Sequence, residues 1–174
     1  MRDLFLLSSD AILRLQLRTI DPSDCERLRQ WKNANRRSFF FQEIIEPEEQ
    51  RRWYEGYGDR PEDFMFVVEA AGDSIGCMGF RIREGEADVY NVIRGVPDAP
   101  GGLSGALRLM CSYAQAQFRC GVVARVLKSN PAVAWYEKNA FAIASEHDTH
   151  YLLRLERFTP LPFRRTETAL PGAP

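Results

Sequence analysis

The sequence predicts a mixed α+β domain, with a largely antiparallel central sheet of about seven strands flanked by about four helices. Three observations predict it. The apolar runs 64–68, 75–82 and 87–93 follow one another across short polar turns, the pattern of an antiparallel meander. A glycine-rich stretch, Pro100-Gly101-Gly102-Leu103-Ser104-Gly105, then leads into a run with Leu107, Met110, Ala114 and Phe118 at helical spacing. The 174 residues suit one domain, and a charged fraction of 27% beside a hydrophobic fraction of 45% is that of an ordinary globular chain.

The elements follow in order. Leu13, Leu15 and Leu17 alternate with Arg14, Gln16 and Arg18, which marks a strand with one buried face. Asp21-Pro22-Ser23-Asp24 ends it and supplies helix caps, so a helix is expected to about Asn33 with Leu28 and Trp31 on one face. Phe39-Phe40-Phe41 lies in a segment without periodicity. Glu46-Pro47-Glu48-Glu49 reads as the first turn of a second helix, which Gly58-Asp59-Arg60-Pro61 ends. After the meander and the glycine-rich helix, Val122 to Leu127 is a further strand, and Asn130-Pro131 opens a short helix through Lys138. Phe141 to Ala144 and Tyr151 to Leu155 close the sheet. The domain is expected to span 1–158. The Pro-rich stretch 159–174 is expected to be a poorly ordered tail.

Composition removes several function classes. A net charge of -1 gives no general attraction to nucleic acid or to an anionic membrane. Four cysteines without a Cys-x-x-Cys pair, and only two histidines, argue against a structural metal site. Cys25, Cys77, Cys111 and Cys120 read as free thiols in a reducing compartment, and a cytoplasmic location is expected.

A glycine-rich turn that opens a helix points free backbone N–H groups at the positive end of the helix dipole. That suits a phosphate. A Walker loop is excluded because no Gly-Lys-Ser/Thr follows, and a dinucleotide fingerprint fails because a meander, not a βαβ unit, precedes the turn. A second constellation is Asn130 at a strand end, followed by Tyr136-Glu137-Lys138-Asn139-Ala140-Phe141 on a short helix. Taken alone, Asn130 reads equally as a cap and Tyr136 as core.

With these motifs in this order, the chain from about Leu13 to Leu155 resembles the GNAT superfamily of N-acetyltransferases. That family's acetyl-CoA loop, Gln/Arg-x-x-Gly-x-Gly/Ala, falls on the glycine turn, with departures at Ala99 and Ser104. Its Tyr-Glu-Lys-x-Gly-Phe run falls on Tyr136 to Phe141, with a departure at Ala140. Trp31-Lys32-Asn33, Arg36-Arg37 and the second tryptophan, Trp53, resemble the branch containing acetyltransferases of nucleotide-linked amino sugars and of ribosomal proteins.

The resemblance implies acetyl-CoA as cofactor and a small-molecule primary amine as acceptor. Contacts to the cofactor would come from Val92, Ile93, Arg94, Gly101, Gly102, Leu103, Ser104, Gly105, Asn130 and Tyr136. Tyr136 would protonate the departing thiolate. The strand through Val92 would splay from the next parallel strand and offer its N–H groups. Asp88 is the candidate base; it shares a face with Tyr90, with Val92 following, while waters would serve if no base is needed. Trp31, Arg36, Arg37, Phe40 and Tyr90 are the candidate acceptor contacts. A protein N-terminus as acceptor, a non-catalytic acyl-CoA sensing module, and self-association into a homodimer stay open.

Overall fold

The computed structural model describes residues 3–97 and 102–169. Its strands are β1 (Phe5–Ser8), β2 (Leu15–Thr19), β3 (Asp63–Ala70), β4 (Asp73–Arg83), β5 (Glu86–Arg94), β6 (Val122–Leu127), β7 (Phe141–Glu146), β8 (His150–Leu155) and β9 (Arg164–Glu167). Its α-helices are α1 (Cys25–Ala34), α2 (Pro47–Tyr57), α3 (Gly102–Phe118) and α4 (Ala132–Lys138). The strands form one sheet in the order β7-β8-β6-β5-β4-β3-β2-β1-β9. Every neighbouring pair is antiparallel except β5 with β6.

The expected α+β architecture is present, with nine strands in place of about seven. The two additional strands are partners. Residues 5–8 alternate: Phe5 and Leu7 are buried. They form β1, which pairs with β2 on one side and with β9 on the other. Strand β9 lies within the stretch expected to be poorly ordered, so the fold does not stop at 158. Proline content misled here, because edge strands and their approaches tolerate proline. Leu161 is buried, its backbone N–H donates to the Ser112 hydroxyl, and Phe163 packs edge-on against Tyr113.

Local chemistry sets the helix starts. The Asp21 carboxylate accepts from Ser23 N–H, and Asp24 accepts from the Asp21 backbone, closing a capping box ahead of α1. Glu46 and Glu49 form the same device at α2, with Pro47 in the first turn.

Period-two alternation divides the core between the two faces of the sheet. Phe66, Val68, Met78, Phe80 and Val89 face α3 and pack with Leu107 and Met110. Met65, Val67 and Cys77 face α1 and α2 and pack with Leu28 and Tyr57. The alternation breaks once in β5. Cys77 pairs with Ile93 but Gly79 pairs with Tyr90, so Met78 opposes two residues, Asn91 and Val92. This is a β-bulge, and Asn91 adopts φ +50 within it. The bulge reverses parity: Tyr90 and Ile93 both pack toward α1, whereas Val92 packs with the α3 face. The expectation that Val92 continues the face of Asp88 and Tyr90 is therefore corrected.

Candidate active site

The parallel pairing of β5 with β6 runs only from Ala87↔Val122 to Val89↔Ala124. Beyond it β5 continues to Arg94 and β6 to Leu127 without pairing to each other. The two strands splay, as expected, and the bulge at Asn91 turns β5 away at that point. A cavity of about 250 Å³ occupies the opening, lined by Asp88, Tyr90, Val92, Asn130, Trp135 and Tyr136 among others. A second cavity of about 390 Å³ lies between the same stretch of β5 and the helices α1 and α2, with Leu28, Trp53 and Ile93 in its wall. Lys32, Phe41, Arg81, Tyr90 and Asn91 line both. The bulge is thus a partition with a chamber on each side. A groove of about 1030 Å³ between the start of α1, the length of α2 and the end of β9 includes no bulge residue.

Tyr136 comes from α4, locked edge-on between Trp135 and Phe141. It is buried, and burial pushes its phenol well above the usual tyrosine range, with Cys111 and Asp88 adding to the effect. The group is therefore protonated at neutral pH: a proton donor, not a base. Asn130 accepts from Ala132 N–H at 2.9 Å, and its amide donates to the Ser38 carbonyl at 3.0 Å. It caps α4 and ties that helix to the aromatic segment Phe39–Phe41, while still lining the cavity.

The start of α3 is placed by packing. Gly102 sits against the Ile75 side chain of β4, whose Cδ1 would lie 2.5 Å from a Cβ at that position. Leu103 is buried in the core. Ser104 and Gly105 line a separate cavity of about 400 Å³, with Arg108, Lys138 and Asn139. Gly101, and with it Ala99 and Pro100, lies outside the described residues. Ile93 lines the chamber beside α1 and α2, and Arg94 is exposed at the end of β5.

Asp88 is in the wall as expected, but its carboxylate lies 3.0 Å from Arg125 and 3.7 Å from Arg83. It is committed to ion pairs. Of the candidate acceptor contacts, Tyr90 lines both chambers and Phe40 lines the smaller, packed edge-on to His150. Trp31, Arg36 and Arg37 line neither. The Trp31 ring lies against Gly95 and under Arg27, Arg36 donates back to the Asn33 carbonyl, and Arg37 is exposed. Trp31 lies off the chamber because α1 turns its Leu28 face toward it, and Arg36 and Arg37 follow beyond the end of α1.

Three wall residues were not singled out from the sequence. Lys32 falls four residues after buried Leu28, on the same helical stripe, and that pattern is a readable signal of a lysine turned inward. Its Nζ donates to Asn91 Oδ1 at 2.5 Å and lies 3.3 Å from the Phe39 ring centroid. Burial holds its ammonium down to about 8, and nearby Arg81 contributes to the lowering. Arg81 lies two residues on from Gly79 and shares its face; its guanidinium rests 4.2 Å from the Tyr90 ring centroid. Asn91 carries no sequence signal, since the bulge comes from the strand count of β4 against β5. The Tyr90 hydroxyl donates to Asp63, and burial first, then Asp63, pushes that phenol well up.

Residues 14–141 match the family model described as an acetyltransferase (GNAT) domain. The chain belongs to the GNAT family. Among solved structures it is similar to apo FdhC, a nucleotide-linked sugar GNAT, at 15% identity and a TM-score of 0.71, covering 83% of this chain and 87% of that one. It is similar also to spermidine N-acetyltransferase from Vibrio cholerae in complex with CoA and spermine, at 20% identity and 0.67, covering 81% and 93%. A third is RimL, a ribosomal L7/L12 alpha-N-protein acetyltransferase, at 20% identity and 0.67, covering 88% and 95%. No curated protein matches the sequence. At these identities the likeness establishes the fold, and the three neighbours differ in acceptor.

Proposed function

We propose that the chain is an acetyl-CoA-dependent N-acetyltransferase that acts on a primary amine of a small molecule, such as a nucleotide-linked amino sugar. The observation that carries this is the partition at the bulge: one chamber in the β5–β6 splay beside a buried phenol, and a second chamber beside α1 and α2, sharing one wall. The residues present fit the cofactor, since the splay leaves β5 unpaired from Tyr90 onward on the side that faces it.

When bound, acetyl-CoA supplies a thioester whose carbonyl carbon accepts the amine nitrogen, so that an N–C bond forms and the C–S bond breaks. The backbone around Asn91 and Val92 orients that carbonyl. Tyr136 Oη holds the proton that the departing sulfur takes up, and its raised pKa keeps that proton in place at neutral pH. Water removes the proton lost by the amine, because Asp88 is engaged with Arg125 and Arg83. Phe41 and Trp53 give the acceptor chamber apolar walls.

Calorimetric titration with acetyl-CoA and thiol release over a panel of amines test the reading. Tyr136→Phe is expected to lower kcat by about 100-fold or more while acetyl-CoA affinity holds. Unchanged turnover in that variant would remove the acid role. Absence of acetyl-CoA binding at high micromolar concentration would remove the function.

A further inference from the structure

The two chambers carry unbalanced charge. Their walls hold four basic side chains, Lys32, Arg81, Arg83 and Arg125, against two carboxylates, Glu49 and Asp88. Both carboxylates are taken up elsewhere. Asp88 pairs with Arg125 and Arg83, and Glu49 accepts from the Glu46 backbone N–H at 2.8 Å as part of the α2 cap. Lys32 and Arg81, the two bases shared by both chambers, make no ion pair among the described residues.

Each of these cations is held instead by neutral groups. Lys32 is fixed by the Asn91 amide oxygen and the Phe39 ring, and Arg81 by the Tyr90 ring. The Arg81 Nε is buried with no hydrogen-bond partner among the described residues. Arg81 stands in register between two buried carboxylates, Asp63 of β3 and Asp88 of β5. Asp63 is engaged by Tyr90 and Arg60, and Asp88 by Arg125 and Arg83, so two neighbouring, part-desolvated cations are left that an anion would stabilise. Their mutual repulsion is one cause of the lowered Lys32 pKa, and an anion between them would relieve it.

We propose that the acceptor carries an anionic group, a carboxylate or a phosphate, which binds between Lys32 and Arg81. The inference rests on the acetyltransferase reading and narrows its substrate to acidic amines. A guanidinium fork and an ammonium suit either anion. Because Lys32 is bonded to Asn91, an anion held there keeps the rest of the acceptor against the bulge, next to the splay. The same two charges oppose a polycation, so polyamines are poor acceptors.

Two measurements test this, and they fail separately from the acetyltransferase reading. First, inorganic phosphate and sodium acetate are titrated into the full chain while the arginine Nε–H resonances are followed by NMR, with the Arg81 signal assigned through Arg81→Gln. Millimolar phosphate or acetate should shift that signal, and Lys32→Gln should weaken the response at least 5-fold. This needs no cofactor. Second, kcat/KM is compared for glucosamine and glucosamine 6-phosphate, for glycinamide and glycine, and for spermidine. The acidic member of at least one pair should be favoured at least 10-fold over its neutral partner and over spermidine, and which pair responds tells phosphate from carboxylate. Arg81→Gln should cut that ratio at least 10-fold, chiefly through KM, and Arg81→Lys should restore part of it. An Arg81 signal that neither anion moves overturns the proposal. So does a wild-type enzyme that prefers neutral or polycationic acceptors.

Discussion

The Lys32 side chain reaches from α1 to the bulge of β5, where its Nζ donates to Asn91 Oδ1 at 2.5 Å. One hydrogen bond thus joins the helix over the chamber beside α1 and α2 to the bulged residue of the strand. Burial sets its cost. The Lys32 ammonium is held at about 8, against 10.5 for a free side chain. Between those values the unfolded chain binds a proton that the folded chain has lost, so stability rises as pH climbs from 8 to 10.5. In Lys32→Met that rise is absent. Wild type should gain about 1 to 3 kcal/mol relative to the variant between pH 7 and 10.5, read from urea unfolding at both values. Equal pH slopes in the two proteins would discard the buried-lysine account.

Asn91 itself holds φ +50, where a β-branched side chain is strained and asparagine is tolerated. Asn91→Val should cost about 1 to 3 kcal/mol and weaken acetyl-CoA binding as the bulge flattens. Asn91→Gly meets the dihedral and loses only the bond from Lys32, so it should be the milder change. Denaturant midpoints and calorimetric affinities rank the two. A valine variant as stable as the glycine variant would mean that the bulge is not set by this residue.

The limits of the sequence have physical causes that can be named. Strand alternation and capping residues are local, which is why Leu15–Thr19, the meander and both acid-rich helix starts were legible. The strands β1 and β9 were not, because each is only four residues long and β9 is a strand only against β1. The splay and Tyr136 came through family resemblance. The bulge did not, since it depends on the register of two strands. Asp88 was found, but its arginine partners come from β4 and β6, and only the fold brings them together. Arg36 and Arg37 stand out in the sequence as a charge pair, while the inward Lys32 hides in a helix stripe.

Gly95 supports the Trp31 ring. A Cβ there would lie 2.0 Å from Trp31 Cε2, and its three nearest atoms all belong to the indole. Gly95→Ala must push the ring off the end of β5, at a cost of about 1 to 3 kcal/mol. Trp31→Phe alone should also destabilise, yet the double variant should cost less than the two single changes added together. Thermal unfolding of the four proteins closes the cycle. Strict additivity would show that the ring moves freely and does not rest on this glycine.

Ser112 anchors the stretch that composition marks as a tail. Its hydroxyl donates to the Arg108 carbonyl at 2.7 Å and accepts from Leu161 N–H at 2.9 Å. Ser112→Ala leaves that buried amide without its acceptor, which should cost about 1 to 3 kcal/mol. Ending the chain at Phe158 does more: it removes β9, Leu161 and the Phe163 ring, and turns β1 into an unprotected edge. The truncated protein should lose more stability than Ser112→Ala and should aggregate at lower concentration, because Phe5 and Leu7 then lie in a short terminal strand paired on one side only. Urea unfolding and light scattering compare the three proteins. If the truncated chain unfolds at the wild-type midpoint, β9 contributes nothing to the sheet and the stretch behaves as the tail its prolines suggest.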